Sequence, residues 1–169
     1  MRFADETPDG NYAIYPQQYL DYVSSICERL PAGVQSIASG KWYFDPTDHR
    51  CPHDSWLESV TLSEPSSGAR SQTKDLSLSI RLLASYHDGY IDFSYKGLKR
   101  YTLDGSRLGS VKSAGTAHSD WLTDEFILLN DGLVSHEIRF SSETVWTIIA
   151  EDVGYSWVPF GGPKPLGIH

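Results

Sequence analysis

The chain has 169 residues, 22 acidic against 14 basic side chains and a formal net charge of -8, a balance that repels phosphate backbones and anionic lipid head groups. Its apolar runs are only a few residues long, too short for a membrane-crossing segment, and at 40% hydrophobic the chain can bury one core without metals or disulfides. The two cysteines, Cys27 and Cys51, and the polar opening from Met1 to Asn11 point to a single cytoplasmic domain spanning residues 1–169 with free thiols.

The chain begins with an irregular arm, residues 1–15, rich in Asp, Glu, Gly and Pro. Pro16 then suits a first helical turn, and Leu20, Val23, Ile26, Cys27 and Leu30 recur at the three- and four-residue spacing of one helix face. Pro31 and Gly33 end that helix. Lys41 to Phe44 reads as a short strand, and Asp45 to Asp54 as a loop. Trp56 to Leu62 alternates as a strand does, and Glu64 to Asp75 is a long flexible loop.

Beyond it the two-residue period is clear. Leu76, Leu78, Ile80 and Leu82 alternate with Ser77, Ser79 and Arg81, His87-Asp88-Gly89 forms a turn, and Ile91, Phe93 and Tyr95 carry the return strand. Lys96-Gly97 bends the ribbon before a strand from Leu98 to Leu103, and residues 106–119 form a second long loop. The last third is a meander: Trp121 to Leu129, Leu133 to Phe140, Thr144 to Glu151 and Tyr155 to Val158, followed by an irregular tail, residues 159–169. The fold expected is mainly β (α+β), an antiparallel β-meander making a curved sheet or partly open barrel with one N-terminal helix packed on it. A two-sheet sandwich is the alternative.

Chemistry-bearing clusters are few. His49, Cys51 and His53 alternate as zinc ligands can, but no second Cys pair or His-rich segment completes four ligands, so the segment is read as an ordered turn without metal or cofactor. Cys51 as a nucleophile is opposed by Asp48 and Asp54, although Arg50 favours it. Cys27 is read as a small buried hydrophobe, and His136, on a face with Val134, Ile138 and Phe140, as a hydrogen-bonded core histidine. His87, Asp88, His118 and Asp120 lie at turns without a nucleophile elbow. Neither a phosphate-binding glycine loop nor a dinucleotide fingerprint is present in the sequence.

The carboxylates Asp92, Asp124, Glu125, Glu137, Glu151 and Asp152 are expected to gather on one sheet face or edge. With the aromatic neighbours Trp146, Tyr155 and Trp157 they form a candidate partner-binding surface, since aromatic anchors ringed by charge are frequent in interfaces. The same carboxylates with the histidines would serve a small-molecule-binding or hydrolytic β-barrel, the alternative function.

The hairpin from Ala84 to Gly97, and the segments Trp121 to Glu125, His136 to Ile138 and Glu151 to Trp157, resemble small bacterial proteins found beside polymorphic or contact-dependent toxins, where they act as immunity partners. The resemblance covers residues 42–158 or so and carries no catalytic residue. It implies a non-enzymatic cytoplasmic inhibitor that neutralises a cognate, basic toxin or effector by protein–protein contact, without nucleic acid or membrane as partner.

Overall fold

The computed structural model describes residues 2–3, 14–105 and 118–161. The expected arm and tail and the second long loop therefore lie largely outside the described residues. Within them the protein is mainly β, with antiparallel sheets and an N-terminal helix, and the sheets do not close into a barrel.

Helix α1 runs Gln17–Ile26, and Pro16, placed just before it, leaves its carbonyl free to accept the first helical bonds from Tyr19 and Leu20. A 3-10 turn, Cys27–Arg29, extends it, and a second short helix, α2 (Ala32–Ala38), follows Pro31. The buried stripe of α1 is Tyr19, Val23 and Ile26, so the helix turns its tyrosine inward, and Cys27 is half-buried rather than core. Lys41–Phe44 is a 3-10 turn and not the expected strand. Three consecutive aromatics satisfy no period, and the Tyr43 N–H bonds back to the Gly40 carbonyl at 3.0 Å.

Ten strands follow among the described residues: β1 (Trp56–Ser63), β2 (Ser66–Ser67), β3 (Thr73–Lys74), β4 (Ser77–Leu83), β5 (Gly89–Lys96), β6 (Arg100–Leu103), β7 (Trp121–Leu128), β8 (Val134–Phe140), β9 (Val145–Ala150) and β10 (Asp152–Pro159). They form one sheet of order β1-β4-β5-β10, a second of order β6-β9-β8-β7, and the small β2-β3 hairpin inside the loop after β1. The sequence reads the turns well. His87 closes the β4–β5 turn through its N–H to Ala84 at 2.8 Å, and the positive φ falls on His87 itself, not on Gly89.

One bent ribbon joins the sheets. β5 runs through Gly97 into β6, and β9 runs through Glu151 into β10, with Glu151 N–H donating to the Lys96 carbonyl at 3.0 Å and Lys99 N–H to Ile149 at 2.8 Å. Gly97 has φ +58°, and a Cβ there would collide with the Glu151 side chain, so the corner requires glycine. Strands that switch sheets through such bends make the corners of crossed sandwiches.

The facing sides of the two sheets enclose the core. Leu78, Ile80, Leu82, Ile91, Phe93, Tyr95 and Val153 of the first meet Trp121, Phe126, Val134, Ile138, Phe140, Trp146, Ile148 and Ala150 of the second. Phe93 and Trp121 stack with centroids 5.4 Å apart across the interface. Each such burial contributes about 1.5–3 kcal/mol, so this layer outweighs any single polar contact. The helices cover two edges. Tyr19 and Tyr22 hydroxyls accept the N–H groups of Phe126 and Leu128 on β7 at 2.7 and 3.0 Å, and the Asp152 carboxylate at the start of β10 accepts the Gly33 and Val34 N–H groups, both at 3.1 Å, at the start of α2.

Candidate functional site

Two clusters of polar side chains stand out, one sealed in the core and one at an exposed loop end. The sealed one centres on Asp124. Its Oδ1 accepts from Tyr15 Oη at 3.1 Å and Trp121 Nε1 at 3.0 Å, while Oδ2 accepts from Tyr43 Oη at 2.5 Å and His136 Nε2 at 3.0 Å. The other His136 nitrogen, Nδ1, meets Tyr95 Oη at 2.8 Å, and Phe126 stacks on the imidazole at 4.1 Å between centroids. Burial first, and the Asp124 charge second, push the Tyr15, Tyr43 and Tyr95 hydroxyls well above the ordinary tyrosine range.

A Tyr–His–Asp chain is the order of groups that activates a hydroxyl for nucleophilic attack. Here Asp124, His136 and Tyr95 are all but inaccessible to solvent, so no substrate reaches them in this conformation. What the cluster does is bind parts together: one carboxylate joins Tyr15 ahead of α1, the 3-10 turn of Lys41–Phe44 and the second sheet, and His136 carries the connection on to Tyr95 of the first. Fully bonded buried networks of this kind fix one arrangement of a core.

The exposed cluster forms where the loop of residues 45–55, the β4–β5 turn and the lead into β7 meet. Asp54 N–H donates to the Trp121 carbonyl and Trp121 N–H to the Ser55 carbonyl, each at 2.9 Å, which brings Trp56 opposite Asp120. Trp56 Nε1 donates to Asp120 Oδ1 at 2.7 Å, and the His87 ring meets the Trp56 indole edge-on at 4.6 Å. Beside it Tyr86 stacks on His49 at 4.1 Å, and His49 Nδ1 pairs with the Asp88 carboxylate.

Trp56 is 41% and Tyr86 49% exposed, although both are held by partners. Three non-glycine residues around them, Asp54, His87 and Ser119, have φ of +60°, +55° and +59°. Positive φ at such residues costs about 1–3 kcal/mol each and gathers at binding and catalytic sites. Ser55 Oγ, Ser119 Oγ and Asp88 Oδ1 are also buried there without a hydrogen-bond partner among the described residues. Such unpaired groups add to the local cost.

The three candidate ligands of the 49–53 segment point apart. Cys51 is buried with Sγ toward the Tyr43 carbonyl at 3.1 Å, His53 Nδ1 faces the Leu122 carbonyl at 2.7 Å, and His49 turns away to Asp88. Burial pushes the Cys51 thiol up to about 12, which keeps it protonated and unreactive. Among the described residues no three His, Cys, Asp or Glu side chains are grouped to hold a metal.

The nine residues expected to form one partner surface are not brought together. Asp92 lies on the outer side of the first sheet, clasped by Arg81 at 2.7 and 2.8 Å. Asp124 is the hub of the core, because the ladder of β7 and β8 shifts register between Trp121 and Thr123 and that irregularity turns Asp124 inward with Trp121. Glu125 is buried and accepts the N–H groups of Arg2 and Phe3 at 2.7 and 2.8 Å, and the half-buried Glu137 sits opposite it in the ladder. Glu151 pairs with Lys99 at 2.6 Å at the corner, and Asp152 caps α2.

Trp146 is buried, its Nε1 donating to the Asp104 carbonyl at 2.9 Å. Tyr155 packs on Trp42 at 4.8 Å and donates to the Arg50 carbonyl, and Trp157 lies over Gly89. Asp124, Glu125 and Trp146 therefore serve the fold's interior and do not face a partner. The residues that do form an exposed cluster, His49, Trp56, Tyr86, His87, Asp88 and Asp120, come from three separate turns. Their one sequence signal is the density of His, Asp and aromatic residues in those turns.

Comparison of the chain with protein families, with curated proteins and with solved structures finds no match.

Proposed function

We propose that the chain is a non-enzymatic inhibitor of the immunity kind, which neutralises a cognate basic protein in the cytoplasm by binding it through the loop end around Trp56 and Tyr86. The observation that carries the reading is the coincidence of two exposed aromatic rings with three strained backbone positions on a rigid two-sheet scaffold. Loops held by a scaffold are the usual seat of binding residues, and partly exposed Trp and Tyr are the usual anchors. Asp88 and Asp120 beside the rings, and the overall charge of -8, suit a basic partner and speed its capture.

The test is co-expression with the product of the neighbouring gene, followed by size exclusion and titration. The expected result is a one-to-one complex whose association slows as salt rises, and which Trp56→Ala with Tyr86→Ala weakens by two orders of magnitude or more, the loss of two anchors at ~2 kcal/mol each. Absence of a complex, or a complex indifferent to the double variant, would overturn the proposal.

A further inference from the structure

Sheet edges attract further strands unless they are covered, shortened or charged. Of the four edges of the two large sheets, β7 is closed by the Tyr19 and Tyr22 hydroxyls, β10 lies against α2, and β6 has only four residues. β1 is different. It has eight residues, pairs with β4 on one side, and on its other side makes, among the described residues, one bridge, from Trp56 to Asp120. From Ser59 to Ser63 no backbone hydrogen bond reaches that outer side among the described residues.

The five residues on this open stretch are Ser59, Val60, Thr61, Leu62 and Ser63, with no charge, proline or glycine among them. Their register against β4 sets Val60 opposite Ile80 and Leu62 opposite Leu78, on the core side, while Ser59, Thr61 and Ser63 face outward with Arg81, Ser79 and Ser77. Leu62 is nevertheless 43% exposed, because among the described residues nothing lies beyond β1 to cover it. Read in either direction, the order of side chains is the same: hydroxyl, aliphatic, hydroxyl, aliphatic, hydroxyl.

We infer that β1 pairs with β1 of a second copy of this chain, antiparallel about a twofold axis through Thr61. That register sets Thr61 against Thr61, Ser59 against Ser63 and Val60 against Leu62, so hydroxyls meet hydroxyls on the outer face and aliphatic groups meet on the inner one. The result is one eight-stranded sheet across two copies, in which Leu62 is covered. No like charges meet within the five-residue ladder. Glu58 and Glu64 meet at its two ends, and each copy carries a net charge of -8, so screening by salt strengthens the pairing. A contact this short belongs with interfaces under roughly 1,200 Å² of total buried surface, which form weak and transient associations.

Cross-linking reads the register directly. In a chain carrying Cys27→Ser, Thr61→Cys places two thiols on the twofold, with Cα atoms at the ~4.5–5.5 Å of an antiparallel pair and within disulfide range. Mild oxidation is expected to give a covalent dimer at least ten times faster than Ser59→Cys alone, and a mixture of Ser59→Cys and Ser63→Cys chains is expected to cross-link to each other. Sedimentation equilibrium of the unmodified chain is expected to show a reversible dimer that tightens with salt, the reverse of the salt dependence of the partner complex. Leu62→Lys abolishes it. Equal cross-linking of Thr61→Cys and Ser59→Cys, or association unchanged by Leu62→Lys, or a monomer up to ~1 mM, overturns the inference. None of these outcomes bears on the Trp56 and Tyr86 site, whose failure is read in its own titration.

Discussion

Removing the Asp124 carboxylate with Asp124→Ala strands four buried donors at once: Tyr15 Oη, Tyr43 Oη, Trp121 Nε1 and His136 Nε2. Each is a hydrogen bond to a carboxylate worth ~1.5–3 kcal/mol, but tyrosine hydroxyls swing to new partners and the four do not add. Two of them left without a new partner set the scale, and we take about 3–5 kcal/mol as the expected destabilisation. For a chain of this size it lowers the melting temperature by on the order of 10 °C. Urea unfolding followed by near-ultraviolet circular dichroism measures it, with an unchanged dependence on denaturant if the native state stays compact. Asp124→Asn keeps one acceptor oxygen and should fall between the two. A double-mutant cycle of Asp124→Ala with Tyr43→Phe should return a coupling of ~1 kcal/mol or more. A loss for Asp124→Ala below about 1 kcal/mol, or a gain, would refute the idea that this carboxylate holds the interior together.

Alkali tests the same region from the other side: folded Tyr19, Tyr43 and Tyr95 keep their protons above pH 10, where the unfolded chain sheds them. The unfolded state then binds fewer protons, so stability falls as pH rises past the ordinary tyrosine range, measurable as a drop in urea midpoint and as tyrosinate absorbance that appears only on unfolding. Thiol titration should label Cys27 in the native protein and Cys51 only after denaturation, since the Cys51 thiol is buried and pushed up to about 12; labelling of both at equal rates would contradict the packing. Asp152→Ala removes the acceptor for the first N–H groups of α2 and should cost ~1 kcal/mol in the same urea experiment, whereas an unaffected midpoint would mean that α2 does not depend on this cap.

The strands were legible wherever one side of a sheet is buried and the other wet. The alternation of Leu78, Ile80 and Leu82 with Ser79 and Arg81, and of Ile91, Phe93 and Tyr95 with Asp92 and Ser94, places β4, β5 and their turn nearly to the residue. The His136 environment follows in the same way, from its place among Val134, Ile138 and Phe140. Legibility ends where the period breaks. The irregularity near Leu122 puts Asp124 out of phase with strict alternation from Trp121, so a residue read as facing a partner lies at the centre of the core. Glu151 interrupts what is one ribbon, and Lys41 to Phe44 is too short and too uniformly aromatic for any period to decide. The loop end was out of reach for a different reason: the contacts of Trp56 with His87 and of His49 with Asp88 join residues more than thirty positions apart, and only the folded sheets make them neighbours.

The ribbon that turns the corner at Gly97 and Glu151 has a consequence for how the molecule comes apart. Because the same two lengths of backbone supply strands to both layers, neither layer can melt while the other survives, and heat or denaturant should meet one all-or-none transition in place of two steps. A cut at that bend would sever both layers together, which makes it the worst place in the molecule to divide the chain into fragments.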